Sequence, residues 1–170
     1  MEMIFILVSI LQSIAISLGV GCSTLAIINF FVALADGKID DNERKMMGVV
    51  YVLLRIAMVV ILITTASLAY ISFSKNSVQL GSAFSLSIWT LVAVLYTNAV
   101  LMTKRVMPST IGPALQAATW YTLGVLTALV PLQLTNFSYF QFLFGYCAVI
   151  ALAVTIVNGV MGHLKQKRSK

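Results

Sequence analysis

The sequence predicts an all-α, polytopic membrane protein with five transmembrane helices, and three observations carry that reading. Of the 170 residues, 60% are hydrophobic and only 9% are charged, a balance that a soluble fold this small does not sustain, because too much of its surface meets water. The apolar residues gather into five long runs. The basic residues then fall on alternate connections between those runs, which is how cytoplasmic loops are marked.

The runs are Met3–Ala35, Met47–Ser74, Leu80–Thr103, Ile111–Pro131 and Phe137–Leu164. Each meets or exceeds the roughly 20 residues that a helix needs to cross a hydrocarbon core about 30 Å thick. They are continuous rather than alternating, which argues against an outer-membrane barrel built of strands of about 10 residues. Helices then satisfy every backbone group inside the lipid. The whole chain, residues 1–170, reads as one helical domain without a linker or a convincing repeat.

The first run differs from a cleaved secretory signal. Glu2 precedes it where a signal carries Lys or Arg, its apolar stretch is about twice as long as a signal's, and the cations Lys38, Arg44 and Lys45 follow it. It is expected to remain in the mature protein, with the N-terminus translocated. That orientation puts Lys38, Arg44, Lys45, Lys104, Arg105, Lys165, Lys167, Arg168 and Lys170 in the cytoplasm with Arg55 just inside the membrane, and leaves only Lys75 outside. The partition is about ten to one, so the N-terminus is expected outside and the C-terminus in the cytoplasm, in a plasma or bacterial inner membrane. The net charge of +6 is then a collar facing anionic headgroups at the cytoplasmic face of the bilayer. Nucleic acid is a poor partner, since the short juxtamembrane clusters come with no recognition module or aromatic platform.

The first connection, Asp36 to Lys45, contains four of the five acids. Its spacing does not fit an EF-hand, because Lys38 occupies the third place, where a ligand belongs, and no metal site is expected. The better reading is mechanical: Gly37 stops the first helix, Asp40 caps the second, and Glu43 completes a capping box.

Packing is predicted from small residues spaced four apart, which let helix backbones approach where lipid supplies no hydrophobic drive. The first run holds Ser9, Ser13, Ser17, Gly21 and Asn29 on one such row. The fourth holds Gly112, Gln116, Trp120, Gly124 and Ala128, and the fifth holds Cys147, Ala151, Thr155 and Gly159. Gly19 and Gly21 are also candidates to kink the long first helix.

Each run contributes one carboxamide or guanidinium near its expected cytoplasmic end: Asn29, Arg55, Asn98, Gln116 and Asn158. All five lie roughly 8–12 Å from the expected cytoplasmic ends of their helices, so they are expected to form one donor-rich ligand-binding layer. Such a layer suits an anion, a phosphate-bearing headgroup or a polar solute. The opposing reading is that Arg55 snorkels to the interface and the carboxamides merely link neighbouring helices. No acid lies inside a run, which disfavours a cation-coupled transporter.

The other reactive groups are sparse. His163 is the only histidine, Cys22 and Cys147 stand apart, and the methionines near the helix ends read as packing, so no cofactor is expected. Without a nucleophile–base pair or a ligand cluster, an enzyme is not expected. Two classes remain: a small transporter, channel or solute- or anion-binding protein, expected to be a homo-oligomer, or a non-catalytic subunit or assembly factor of a larger membrane complex.

Overall fold

The computed structural model describes residues 2–36, 40–74, 82–108 and 111–168, with the backbone alone at 34–36, 165, 167 and 168. Among these residues the fold is all-helical: α1 (Glu2–Asp36), α2 (Asp41–Ser74), α3 (Ala83–Thr103), α4 (Ile111–Leu129) and α5 (Tyr139–Arg168). Successive helices run antiparallel. The start of α1, the end of α2, the start of α3, the end of α4 and the start of α5 share what we call the amino end of the bundle, and the α3–α4 connection lies at the opposite, carboxyl end.

The helix ends are set by local hydrogen bonds. At the start of α2, Glu43 N–H donates to Asp40 Oδ1 (2.6 Å) and Asp40 N–H donates to Glu43 Oε2 (3.1 Å), which is the expected capping box. The expected stop at Gly37 lies outside the described residues. A second box opens α5, where Ser138 N–H donates to Gln141 Oε1 and Gln141 N–H to Ser138 Oγ, so the helix begins at Tyr139 rather than Phe137. Ser82 caps α3 by accepting from Ser85 N–H, and this helix starts three residues after Leu80. Helices α3 and α4 end in the same way. Arg105 (φ 56°) and Gln133 (φ 57°) adopt the left-handed conformation, and Val106 and Leu134 N–H reach back to the carbonyls of Leu101 and Leu129.

Four segments, Glu2–Ala33, Asp41–Ser74, Ala83–Thr103 and Tyr139–Leu164, are long and apolar enough to cross a membrane. Helix α4 is not one of them, and its position in the bundle gives the reason. It packs against α1, α3 and α5, and buries Gln116, Thr119, Trp120, Leu123 and Leu126 among others. A helix covered by protein over most of its surface, with only a strip such as Tyr121 and Val125 exposed, tolerates more polar side chains than one surrounded by lipid. The peripheral helices do the reverse, exposing Ile63, Phe140, Phe144 and Leu152 at 58%, 81%, 82% and 61%, far more apolar surface than water-facing helices carry.

The main core joins all five helices through Ile16, Leu54, Ile61, Leu91, Trp120 and Phe142, and a smaller cluster of Ala114, Val157 and Met161 packs with Phe30 and Phe31 nearer the carboxyl end. Polar links between helices recur as threonine–tyrosine pairs: Thr24–Tyr121 (2.7 Å), Thr90–Tyr139 (2.8 Å) and Thr119–Tyr146 (2.7 Å). Each is worth about 0.6 kcal/mol on average in a membrane setting.

The expected small-residue rows need correction. The α4 row is packed through Gly112, Gln116 and Trp120, with Gly124 touching Val20 and Ile16 and only Ala128 exposed. The α1 row is not: Ser13, Ser17 and Gly21 are exposed, and a Cβ at Gly21 would meet nothing. The close approach occurs two residues earlier, where the Trp120 indole lies flat against Gly19 and would collide with any Cβ there. The α5 row of Cys147, Ala151, Thr155 and Gly159 is likewise exposed.

Candidate functional site

Helix α2 buries Val50, Leu54, Ala57, Met58, Ile61, Thr64 and Thr65, a stripe of helical period that faces α1 and the core. Arg55 sits about 100° around the helix from Leu54, on the flank nearest α3, and is exposed. There it lines a groove of about 410 Å³ together with Met58 and Val59 of α2 and Tyr96, Val100 and Lys104 of α3. Tyr96 Oη donates to the Met58 carbonyl at 2.9 Å and ties the two walls together. Lys104 is the C-cap of α3, where a cation is favoured by the helix dipole. Neither cation has an ion-pair partner among the described residues, so two positive charges converge on one mostly apolar groove.

Of the five polar residues expected to form a layer, hydrogen bonds bring two together. Asn98 Nδ2 donates to Gln116 Oε1 (3.0 Å) and to the Gly112 carbonyl (2.9 Å). These side chains are only 1% and 8% exposed, and their remaining contacts are sulfur atoms: Asn98 Nδ2 to Met102 Sδ (3.6 Å) and Gln116 Nε2 to Met58 Sδ (3.7 Å). The pair locks α3 to α4. Arg55 makes no direct hydrogen bond to any of the four carboxamides, Asn158 is exposed on α5, and Asn29 is half-buried on α1. Among the described residues, the buried polar atoms Asn29 Nδ2, Asn98 Oδ1 and Trp120 Nε1 have no hydrogen-bond partner. No group of three or more His, Cys, Asp or Glu capable of holding a metal occurs among the described residues.

Sequence reasoning missed Lys104 and Tyr96 as neighbours of Arg55. Lys104 was legible as a topological charge, but its place in the same groove as Arg55 depends on how α2 packs beside α3, which no local pattern encodes. Also missed was a larger cleft of about 540 Å³ at the amino end, lined from α1 to α4 by hydroxyl, carboxamide and aromatic side chains.

No protein-family model matches the chain, and neither curated proteins nor solved structures give a match.

Proposed function

We propose that this chain is a non-catalytic integral membrane protein that binds the phosphate-bearing headgroup of an anionic lipid in the α2–α3 groove, with Arg55 and Lys104 as the anion ligands. In this reading all five helices cross, with the N-terminus outside and the C-terminus in the cytoplasm. Two arguments support five crossings. Helix α3 ends at the carboxyl end while α5 begins at the amino end, so α4, about 28 Å long at about 1.5 Å per residue, must return across the same thickness. The basic residues also remain partitioned about ten to one between alternate connections.

The observation that carries the lipid reading is that one mostly apolar groove is lined by two cations with no ion-pair partner among the described residues. A guanidinium among lipid tails costs about 2.5–3.5 kcal/mol on insertion scales unless something compensates it. A phosphate at the mouth of the groove accepts two parallel hydrogen bonds from Arg55 and a third from Lys104, while Val59 and Val100 offer an apolar surface to the first acyl carbons. The Asn98–Gln116 pair serves this site indirectly, since it holds the Met58 side chain that forms part of the groove wall.

Native mass spectrometry of the detergent-purified protein tests this with phosphatidylglycerol, phosphatidylcholine and inorganic phosphate as separate probes. Retention of phosphatidylglycerol about tenfold above phosphatidylcholine, lost in Arg55→Leu and Lys104→Leu and only weakened in Arg55→Lys, is expected. Equal retention of the two lipids, or retention unchanged in both Leu variants, overturns the reading. Binding of inorganic phosphate alone would reassign the site to a free anion.

A second reading, a subunit of a larger membrane complex, is favoured by the two small-residue rows left on the outside of α1 and α5. Obligate co-purification of a different membrane protein would support it.

A further inference from the structure

We infer that the amino-end cleft is a second binding site, for an uncharged amphiphile whose headgroup bears hydroxyls, of the monoacylglycerol kind. This rests on observations separate from the α2–α3 groove. The cleft has about 540 Å³ of space and is walled by four helices. Its floor and rim are apolar, with Leu68 and Ile88 towards the interior, Pro131 at its exposed edge and Phe5, Phe84 and Trp89 lining it as aromatic walls, which suits an acyl chain and its glycerol boundary.

The polar side chains of the cleft define the headgroup. Among the described residues lining it there is no Lys, Arg, His, Asp or Glu, so a charged headgroup would lose its hydration without gaining a counter-ion from them. Three hydroxyls have already spent their single hydrogen on carbonyls of their own helices: Ser9 on Phe5, Ser13 on Ser9 and Thr127 on Leu123. They therefore face the cleft as acceptors only. Gln12 donates one N–H to Thr65 Oγ1 at 3.1 Å, which fixes its carboxamide between α1 and α2. Its Oε1 and second N–H hold no partner among the described residues. Thr65 and Ser82 only accept hydrogen bonds and Ser85 Oγ makes none among the described residues. The wall therefore offers hydroxyl donors beside its acceptors, a mixture that a hydroxyl-bearing headgroup matches because each hydroxyl both donates and accepts. A carboxylate or a phosphodiester brings a charge that no described residue of the cleft neutralises.

Trp89 lines the cleft while Trp120 is fully buried elsewhere, and these are the two tryptophans of the chain. Quenching of tryptophan emission therefore reads occupancy directly. The full-length protein in detergent is titrated with glycerol mono-9,10-dibromostearate and, separately, with the 9,10-dibromostearate anion. A saturable loss of the Trp89 emission with the glycerol ester is expected, about tenfold tighter than with the anion. Gln12→Leu, which removes the carboxamide, and Ala69→Phe, which fills the cleft from α2, should each weaken it by about fivefold or more, whereas Leu152→Ala on the outer face of α5 should leave it unchanged. The blue-shifted Trp120 emission left in each variant reports that it has folded. Quenching that rises linearly and equally for both probes, or folded Gln12→Leu and Ala69→Phe proteins that both bind like the parent, would overturn the site.

Discussion

Helices α4 and α5 carry small residues at the same four-residue spacing, and the bundle uses the two rows in opposite ways. On α4, Gly112, Gln116 and Trp120 are buried against α1 and α3; on α5, Cys147, Ala151, Thr155 and Gly159 are exposed. What α5 turns inward instead is a ladder of larger side chains, with Phe142 stacked on Tyr146 at 5.8 Å and Tyr146 bonded to Thr119. A small-residue row states that a neighbour is able to come close, not that one is there. The neighbour is fixed by what lies between the small residues: on α4 a carboxamide and an indole, both costly to leave in lipid and both with places prepared for them on facing helices.

The largest expected effect is on the buried row. Trp120→Ala should destabilise the protein by about 3–5 kcal/mol, because the indole fills the centre of the bundle and its loss leaves a cavity. Reversible unfolding in mixed detergent measures it; a cost near that of a surface change would mean that α4 is not central. Next comes the partner of that ring. Gly19→Leu should cost about 2–3 kcal/mol through overpacking, while Gly21→Leu, two residues along the same helix, should stay within about 0.5 kcal/mol. Reversal of that order would return the packing face of α1 to the Ser13–Gly21 row.

A smaller loss is expected from Asn98→Leu, about 1–2 kcal/mol, since it leaves Gln116 buried without its polar partner. The double change with Gln116→Leu should recover part of that loss, and a strictly additive cycle would show that the two carboxamides do not act as a unit. The smallest effect belongs to the exposed row: Gly159→Leu should leave the unfolding of the isolated chain within about 0.5 kcal/mol. If the same variant abolishes an oligomer seen by crosslinking in membranes, the α5 row is covered in the assembly and the contrast with α4 holds only for the single chain.

The helical class and the approximate extent of the helices were legible because a continuous apolar run of about 20 residues or more, in which the backbone bonds to itself, is a local pattern. The capping box at Asp40 and Glu43 was legible for the same kind of reason, since its partners stand three residues apart. The box at Ser138 and Gln141 carries the same spacing, but it sits at the edge of an apolar run that hides it. Arg105 and Gln133 in left-handed conformations were not legible at all, since neither is the glycine that usually marks such a stop.

The sequence by itself determined that these residues form membrane-compatible helices, which connections hold the charge, and which side chains are too polar for lipid. Equal depth along five helices is a one-dimensional property, and it placed Asn29, Arg55, Asn98, Gln116 and Asn158 at one level. Only the tertiary structure decided the rotation of each helix about its axis. That rotation turned Asn98 toward Gln116, put Arg55 in the same groove as Lys104, and left Asn158 on the outside. The physical reason is that these helices carry large apolar side chains on their exposed as well as their buried faces, so hydrophobicity does not choose the inward face. That choice falls to close packing and to a few hydrogen bonds, which depend on which helices become neighbours.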